Sequence, residues 1–557
     1  MKKILLGVAL LFFGLALVGC SERTTAPTTA ATAPVYTDTF TTKEVEFINF
    51  STEFIKEEPV EDITLYYFTE KAGIRYVDIS EFVTMLLGII DETIVVENNG
   101  ESIRVWLEYF YTEEEKEEYG LVEDSMIAEV NFDFTTTTVT APDINTFDYF
   151  TGETETDFSE GLDLVNYTEE ALPGFSVNLA DYGFRFYHVM EASTDKHLIP
   201  LSLAGLFLTG SMFDVVNNGD YLYGIDTYQL GDVTDVTKPI YDAVRENKDA
   251  TPEMILESQK FLEFTFDYFY GLKAYKSITA FGPYLSNYFT SGKSFEQAYS
   301  EFTDSFADLH TGIISYGHQN PSFDSGVTPQ FIYDYSYEYY GCECNFARTN
   351  FKTTFYEDMA YIQVIEFTTD FKAELEAAMA DVIEENPNII VFDLACNGGG
   401  VLAGVFHLLN YMTNDHISFY TTTLGAKSSS TYNVEGDKAL DVDFYIITSG
   451  ATYSAANLFT ALAKEMNLAK TIGSKSGGGA CSVKALVLPN GAIMQMSSNM
   501  NLTYSDYLTV EEGVDPDYEM DFYTKGYNYY TYGRQPRYPD PDDFYLIIQE
   551  MENPAAE

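Results

Sequence analysis

The feature that most constrains the fold is an alternation of strand and helix over residues 353–465. The strand-like segment "TTFYEDMAYIQVIEF" is followed by the helical pattern "DFKAELEAAMADVIEEN", and the apolar strand "NIIVFDLACNGGG" leads into the helix "VLAGVFHLLNYMT". The strand "FYIITSG" then precedes a helix that begins at Ala455. Because this alternation is typical of parallel strands covered by helices, we predict an α/β domain over residues 331–540.

Two of these apolar strands end in a turn of small residues. In "FDLACNGGG", Asn397 and three glycines at 398–400 come before the next helix. Glycines let main-chain N–H groups approach a ligand closely, and the N-terminus of the following helix favours negative charge. A phosphate loop would have Gly-Lys followed by Ser or Thr, and this sequence does not. The turn therefore fits an oxyanion site better than a phosphate site.

The second turn, "SGATYSAAN", carries Ser454 at the mouth of a helix. A serine so placed exposes its hydroxyl, and the next N–H points the same way. Acyl transfer needs this pairing, because an alcohol nucleophile gains little unless the negative charge that it creates is stabilised. The alternative is a serine that simply caps the helix. A nucleophilic serine also needs a base, and "FADLHTGIISYG" offers His310, where a helical pattern gives way to a strand.

Six segments that contain these features occur in one order over residues 304–521: "FADLHTG", "MAYIQVIEF", "IIVFDLACNGGG", "ATYSAANLF", "TIGSKSGGGACSV" and "EEGVDPDYEMD". Together they resemble the C-terminal processing (tail-specific) serine peptidase family, on its tricorn-like side. The resemblance implies a peptidase domain of crotonase/ClpP-like β-α layers. It also implies hydrolysis of peptide bonds through an acyl-enzyme, with a peptide or protein as substrate.

The resemblance also assigns roles by position. Ser454 matches the nucleophile of the family's Ser-Ala-x-Glu turn, and His310 matches the histidine of its Asp-x-His-Thr motif, the general base of the tricorn-like branch. Glu511 is the candidate for the acidic residue that supports the base, with Glu512 as its rival. The oxyanion donors that the resemblance implies are backbone N–H groups of Ala455 and of Gly398 or Gly399.

The sequence departs from the family at several positions. Gly479 stands where the serine-lysine branch has its lysine, and adopting Lys475 or Lys484 instead would need a shifted register. Asn457 replaces the usual glutamate, and Leu309 replaces the serine before the tricorn histidine. These departures motivate an alternative, a catalytically inactive peptide-binding protein of the same fold.

Other reactive side chains have less specific patterns. Cys396 and Cys481 are expected in two loops that line the cleft, where they could form a disulfide or remain free thiols. A catalytic role, with one cysteine as the nucleophile, is the more specific alternative, but neither cysteine falls at the strand-to-helix turn. Asp308 could take part in orienting His310, but an acidic residue near a helix end is more often solvated, so we expect it to be solvated. His407 is expected to lie in the core. Cysteines and histidines lack the spacing of a metal site, so we predict neither a metal nor another cofactor.

The first twenty residues, "MKKILLGVALLFFGLALVGC", predict a targeting segment. Two lysines precede an apolar run that is shorter than a membrane span, and the ending resembles the lipobox of bacterial lipoproteins. We therefore expect a signal peptide at 1–20, lipidation of Cys20, and a protein anchored by lipid to the extracellular face of the cell membrane. The segment 21–43 is rich in Thr, Ala and Pro and predicts a flexible tether. A net charge of −57 disfavours binding to nucleic acid.

The segment before residue 232 contains a candidate repeat. "ITLYYFTEKAGIRYVDISEFVTMLLG" with "IVVENNGESIRV" is echoed by "FRFYHVMEASTDKHLIPLSLAGLFLTG" with "DVVNNGDYLYGI". Each copy predicts two strands, a serine that caps a helix (Ser80 and Ser202), and an Asn-Gly hairpin. We therefore predict two related α+β modules, although chance similarity is the alternative. The predicted units are modules at 44–150 and 151–232, a helical section with the His motif at 233–330, and a C-terminal tail at 541–557.

Overall fold

The structure is a computed structural model that describes residues 39–553 with gaps. The gaps are 56–61, 72, 114, 117–122, 153, 192, 211–212, 227–237, 245–249, 291–292, 306–307, 316–349, 437 and 521–538. The predicted signal peptide with Cys20 and residues 21–38 of the predicted tether lie outside the described residues. Within them, no helix is long and apolar enough to cross a membrane.

The described strands, in chain order, are β1 (Phe40–Asn49), β2 (Ile63–Phe68), β3 (Tyr76–Asp78), β4 (Val95–Asn98), β5 (Ser102–Phe110), β6 (Ser125–Asp133), β7 (Thr138–Ala141), β8 (Leu162–Glu169), β9 (Phe175–Asn178), β10 (Tyr187–Glu191), β11 (Thr194–Pro200), β12 (Phe213–Asn217), β13 (Tyr221–Asp226), β14 (Gly312–Ser315), β15 (Phe351–Tyr356), β16 (Met359–Val364), β17 (Ile389–Asp393), β18 (Ile417–Thr423), β19 (Ala426–Val434), β20 (Asp443–Thr448), β21 (Ala469–Gly473), β22 (Cys481–Val487), β23 (Ile493–Thr503) and β24 (Tyr518–Glu519). The described α-helices are α1 (Ile79–Leu86), α2 (Leu201–Leu208), α3 (Lys238–Val244), α4 (Pro252–Phe269), α5 (Phe281–Leu285), α6 (Phe295–Asp304), α7 (Phe371–Glu385), α8 (Ala403–Leu409), α9 (Ala455–Glu465) and α10 (Pro541–Glu552).

The predicted α/β sheet is confirmed. Its order is β15-β16-β17-β20-β21-β24, and from β16 onward each pair of neighbours is parallel. The central strand β17 is buried along its whole length, because it has parallel neighbours on both sides and helices cover the sheet. Burial of each large apolar side chain of such a strand contributes about 1.5–3 kcal/mol. This sheet brings the carboxyl ends of β17 and β20, with their two small-residue turns, side by side.

A second six-stranded sheet runs β14-β23-β18-β19-β8, and β22 pairs with β23. Strand β8 belongs to the predicted second N-terminal module, but it pairs with β19, so that Leu162 lies opposite Val434. The predicted boundary at residue 232 therefore does not separate two sheets.

The N-terminal segments also share a sheet. The seven-stranded order β10-β11-β3-β2-β1-β13-β12 interleaves strands of both predicted modules, with Val77 opposite Ile199, while β4-β5-β6-β7-β9 form a separate five-stranded sheet. The two copies thus do not fold as independent layers, and the duplication itself stays a prediction. Both Asn-Gly hairpins form, β4–β5 and β12–β13.

Two local expectations in this region are wrong. The cap of α1 is Asp78, whose carboxylate accepts the Glu81 N–H at 3.1 Å, and Pro200 occupies the cap position of α2, so the two aligned serines lie inside their helices. Because Asp78 caps the helix two residues before Ser80, α1 begins at Ile79 and Ser80 lies in its first turn. The predicted tether is also shorter than expected, because β1 begins at Phe40 and pairs with β2.

The helical section and the C-terminal segment both pack onto the rest of the molecule. Helix α4 buries its aromatic side chains in the same core as the N-terminal sheets, and α6 ends before His310, which β14 follows. The segment predicted as a tail carries α10 instead. Its Phe544 is fully buried and stacks on Tyr361 of β16, with ring centroids 5.8 Å apart.

Candidate active site

Ser454 lies at the junction of β20 and α9 in a strained backbone conformation. Its φ is 55° and its ψ is −124°, a region that costs a residue other than glycine about 1–3 kcal/mol. The Ser454 N–H donates to the Gly478 carbonyl at 2.9 Å, and the side chain makes no capping hydrogen bond to α9. The alternative of a simple cap is therefore wrong.

The glycine turn after β17 packs directly against this serine. A Cβ at Gly399, whose φ is +107°, would lie 2.7 Å from the Ser454 Cβ and 2.9 Å from the Ala455 nitrogen, so only glycine fits. The Gly399 N–H already donates to Asn397 Oδ1 at 2.8 Å. The neighbouring Gly398 is exposed, and its N–H has no acceptor within the part of the chain that the structure describes. Of the two candidate donors in this turn, Gly398 is the one with an available N–H, together with Ala455.

His310 is buried beside the residue that precedes the serine. Its side chain is 8% exposed, and its ring centroid lies 4.8 Å from that of Tyr453. Burial lowers the pKa of His310 to about 4, and the charge of Asp308 opposes this change. The imidazole is therefore neutral at neutral pH, which is the form that accepts a proton. Nδ1 is buried and has no hydrogen-bond partner among the described residues.

Asp308 is buried, contrary to the expectation that it is solvated. Its Oδ1 accepts the His310 N–H at 3.0 Å and the Ser497 hydroxyl at 3.1 Å, and its Oδ2 accepts the Tyr270 hydroxyl at 3.0 Å and the Thr311 hydroxyl at 2.6 Å. Four donors stabilise the carboxylate in a site that is closed to water. The carboxylate thereby joins the His310 segment to Tyr270, which directly follows α4, and to β23.

Glu511 lies nearby but bonds to a different loop. Its Oε2 accepts the Ala480 N–H at 2.7 Å, and burial, with a smaller contribution from the charge of Asp308, raises its pKa to about 7. Among the described residues, Asp308 is the charge that acts on the His310 imidazole. The rival Glu512 is exposed and accepts the Tyr275 hydroxyl. Sequence reasoning considered Asp308 for the orientation of His310 but expected it to be solvated, although its place in the Asp-x-His motif was a usable signal.

The two lysine alternatives are engaged elsewhere. Lys475 is 45% exposed and lies 3.8 Å from Asp515, whereas Lys484 is buried and pairs with Asp148 at 3.0 Å. Neither ammonium group is directed to the serine by these contacts, which favours the histidine as the base.

Asn457, which replaces the family's glutamate, ties α9 to the loop that carries Glu511. Its Nδ2 donates to the Val510 carbonyl at 3.0 Å, and its Oδ1 accepts the Ser476 hydroxyl at 2.7 Å. The Ser476 hydroxyl oxygen accepts the Val514 N–H at 2.6 Å. Because Asn457 is fully buried with its polar atoms paired, this departure has a structural role.

The two cysteines do not bond to each other. Cys396 is disulfide-bonded, whereas Cys481 is a free, buried thiol whose pKa burial raises well above its usual value. A thiol of that kind is a poor nucleophile, which argues against the cysteine alternative. His407 is buried, as expected, and burial lowers its pKa to about 4.

A family model matches the segment that carries the candidate nucleophile. Residues 358–520, which include Ser454 and Glu511, match the model described as peptidase family S41. This segment is an S41 peptidase domain. The match confirms the family resemblance of the sequence over that segment, while His310 and Asp308 lie before it.

Similar proteins cover only part of each chain. The "Probable CtpA-like serine protease" of Staphylococcus aureus strain N315 is 25% identical over 162 residues, which are 29% of this chain and 33% of that protein. The protein of the same name from Staphylococcus saprophyticus is 23% identical over 166 residues, 29% of this chain and 34% of its own length. The match thus spans about one third of the staphylococcal proteins.

Solved structures give weaker likenesses. The photosystem II D1 C-terminal processing protease has a TM-score of 0.28 at 14% identity and covers 31% of this chain and 48% of its own. Mature CPAF complexed with lactacystin has a TM-score of 0.38 at 10% identity and covers 54% of this chain and 99% of its own. Scores at this level do not establish a common fold over the whole chain.

Proposed function

We propose that this protein is a serine peptidase that hydrolyses peptide bonds through an acyl-enzyme on Ser454, with His310 as the general base. His310 accepts the Ser454 hydroxyl proton as Oγ bonds to the substrate carbonyl carbon. The Ala455 and Gly398 N–H groups stabilise the oxyanion. The C–N bond then breaks, and His310 gives the proton to the leaving amine. Water attacks the ester carbonyl, His310 accepts the water proton, and the proton returns to Ser454 as the acid leaves.

The observation that supports this proposal most strongly is the backbone conformation of Ser454. A serine held at positive φ, at the start of a helix and against a glycine turn, is the arrangement that exposes a nucleophile beside backbone donors. The neutral imidazole of His310 lies against the adjacent residue. Asp308 supports the base through its negative charge, which favours the imidazolium that forms in the first step.

We further propose that the protein acts at the cell surface, anchored by a lipid on Cys20. The support is the apolar run after two lysines and the small residues before Cys20 in the sequence. Its substrate would be a peptide or protein that reaches the extracellular face of the membrane. Metabolic labelling with a fatty acid analogue would be lost in Cys20→Ser if this anchor exists.

A fluorophosphonate probe tests the proposed chemistry, because it modifies activated serine hydroxyls. Wild type should be labelled, Ser454→Ala should not, and His310→Ala should be labelled more slowly by about two orders of magnitude or more. Ser449→Ala is the matched control, because Ser449 lies in the same turn, is buried, and donates to the Ala395 carbonyl. A folded wild type that takes no label would favour the inactive peptide-binding alternative, for which the paired, buried Asn457 gives no support.

A further inference from the structure

Tyr453, the residue before the candidate nucleophile, contacts each part of the site. Its N–H donates to the Asn397 carbonyl at 3.0 Å, which joins it to the oxyanion turn. Its backbone forms a parallel bridge to Gly478, in the loop that also accepts the Ser454 N–H. Its side chain is 8% exposed. Main-chain bonds on two sides therefore leave the Tyr453 backbone little freedom.

The ring of Tyr453 lies between the histidine and a glycine. Its centroid is 4.8 Å from the His310 centroid, at an interplanar angle of 60°. A Cβ at Gly479 would lie 2.5 Å from the Tyr453 Cζ and 2.7 Å from its Cε1. Gly479 also has a φ of +84°. The absence of a side chain at position 479 is what makes room for the ring.

No side-chain hydrogen bond orients the imidazole through Nδ1. This atom is buried without a partner among the described residues, and Asp308 bonds to the His310 backbone N–H while each of its oxygens accepts two hydrogen bonds. In a triad of the usual kind, a carboxylate bonded to Nδ1 fixes the ring. Here a different constraint has to fix the rotation of the imidazole.

We propose that Tyr453 is the positioning residue for the base: its ring packs on the His310 imidazole and holds it in the orientation that serves Ser454. This inference rests on the proposed function. Gly479 permits the arrangement, since any side chain there would displace the Tyr453 ring. The packing also excludes water from the imidazole, so that loss of the ring should change both the reactivity of Ser454 and its dependence on pH.

The groups around the imidazole set the direction of the pH effect. Asp308 acts on His310 from its own segment. Glu511 and Cys481 act on Tyr453, and Tyr270 bonds to Asp308. Lys276 acts on Glu511 and Cys481. Burial lowers the pKa of His310 to about 4. If the Tyr453 ring is removed, water reaches the imidazole and its pKa rises toward the ordinary value of about 6.5.

The test is the rate of fluorophosphonate labelling as a function of pH in the full-length protein. One variant is Tyr453→Phe, which keeps the aromatic ring. The other is Tyr453→Leu, which keeps an apolar side chain in part of the same space but removes the flat ring. Tyr445→Leu is the matched control, since Tyr445 is 2% exposed, lies on the strand that leads to the same turn, and bonds to Glu552 on the far side of the sheet. Gly479→Ala is a second way to displace the ring, because the added Cβ would lie 2.5 Å from the Tyr453 Cζ.

Tyr453→Phe should be labelled within about threefold of the wild-type rate, whereas Tyr453→Leu should lose about tenfold to hundredfold. The acid midpoint is the pH at which the labelling rate falls to half as His310 becomes protonated. Tyr453→Leu should move this midpoint to higher pH. Gly479→Ala should likewise lower the labelling rate and move the midpoint to higher pH. Tyr445→Leu should leave the midpoint at its wild-type value.

The proposal is overturned if Tyr453→Leu keeps the wild-type midpoint, or if Tyr453→Phe is impaired as much as Tyr453→Leu. If Tyr453→Leu does not fold, the midpoint of Gly479→Ala decides. An unlabelled wild type would overturn the proposed function instead.

Discussion

The carboxylate of Asp308 accepts the backbone N–H of His310 at 3.0 Å, and its charge raises the pKa of the same imidazole against the effect of burial. One buried side chain thus both holds the segment of the base and favours its protonated form. The two residues are close in sequence, but Tyr270 and Ser497, whose hydroxyl groups donate to the same carboxylate, come from distant parts of the chain.

Asp308→Asn should weaken the base. Without the negative charge, the pKa of His310 falls further below its usual value, so the acid midpoint of labelling should move to lower pH while the rate at neutral pH falls about tenfold or more. This direction is opposite to the one expected for Tyr453→Leu. Glu512→Gln removes an exposed carboxylate on the neighbouring loop and is the control. An upward shift of the midpoint in Asp308→Asn would contradict the assigned role.

Ser454→Gly should be more stable than Ser454→Ala. Both variants lack the hydroxyl and take no label, but alanine keeps the penalty of a positive φ, which glycine relieves by about 1 kcal/mol. Denaturant midpoints of the two variants measure the difference. Equal midpoints would mean that the backbone at this position carries no strain.

Asn457→Ala should destabilise the loop that carries Glu511. The substitution leaves the Val510 carbonyl and the Ser476 hydroxyl without their partner, and each buried group left unpaired costs about 1–3 kcal/mol. Asn433→Ala, at an exposed position of β19, is the control and should leave the denaturant midpoint unchanged. A variant at position 457 that is as stable as wild type would show that water replaces both bonds without loss.

Glu511 should make stability depend on pH. Its folded-state pKa is raised from about 4.5 to about 7, so between these values the native state binds more protons than the unfolded state. Its contribution is therefore present at low pH and is lost as pH rises through this window. The thermal midpoint of Glu511→Gln, relative to wild type, should increase from pH 5 to pH 8. A constant difference over that range would mean that Glu511 is ionised throughout.

Local patterns carried most of the correct predictions. Strands β15, β16, β17 and β20 and helices α7, α8 and α9 follow from apolar periodicity and from the small residues between them, and the two Asn-Gly hairpins follow from turn chemistry. Strands β18 and β19 were not predicted. The cap positions of α1 and α2 were predicted wrongly, because Asp78 and Ser80 both suit a cap and only the backbone geometry distinguishes them.

The amino-acid sequence by itself determined the α/β alternation, the place of Ser454 at a strand-to-helix turn, and the order of motifs that links residues 358–520 to the S41 family. The tertiary structure decided the burial of Asp308, the pairing of β8 with β19, and the packing of Tyr453 on His310. Periodicity and capping act over a few residues, whereas these contacts join residues that are far apart in the chain. The free energy of each of these contacts depends on which groups are removed from water together. The packing of the sheets against one another determines which groups those are.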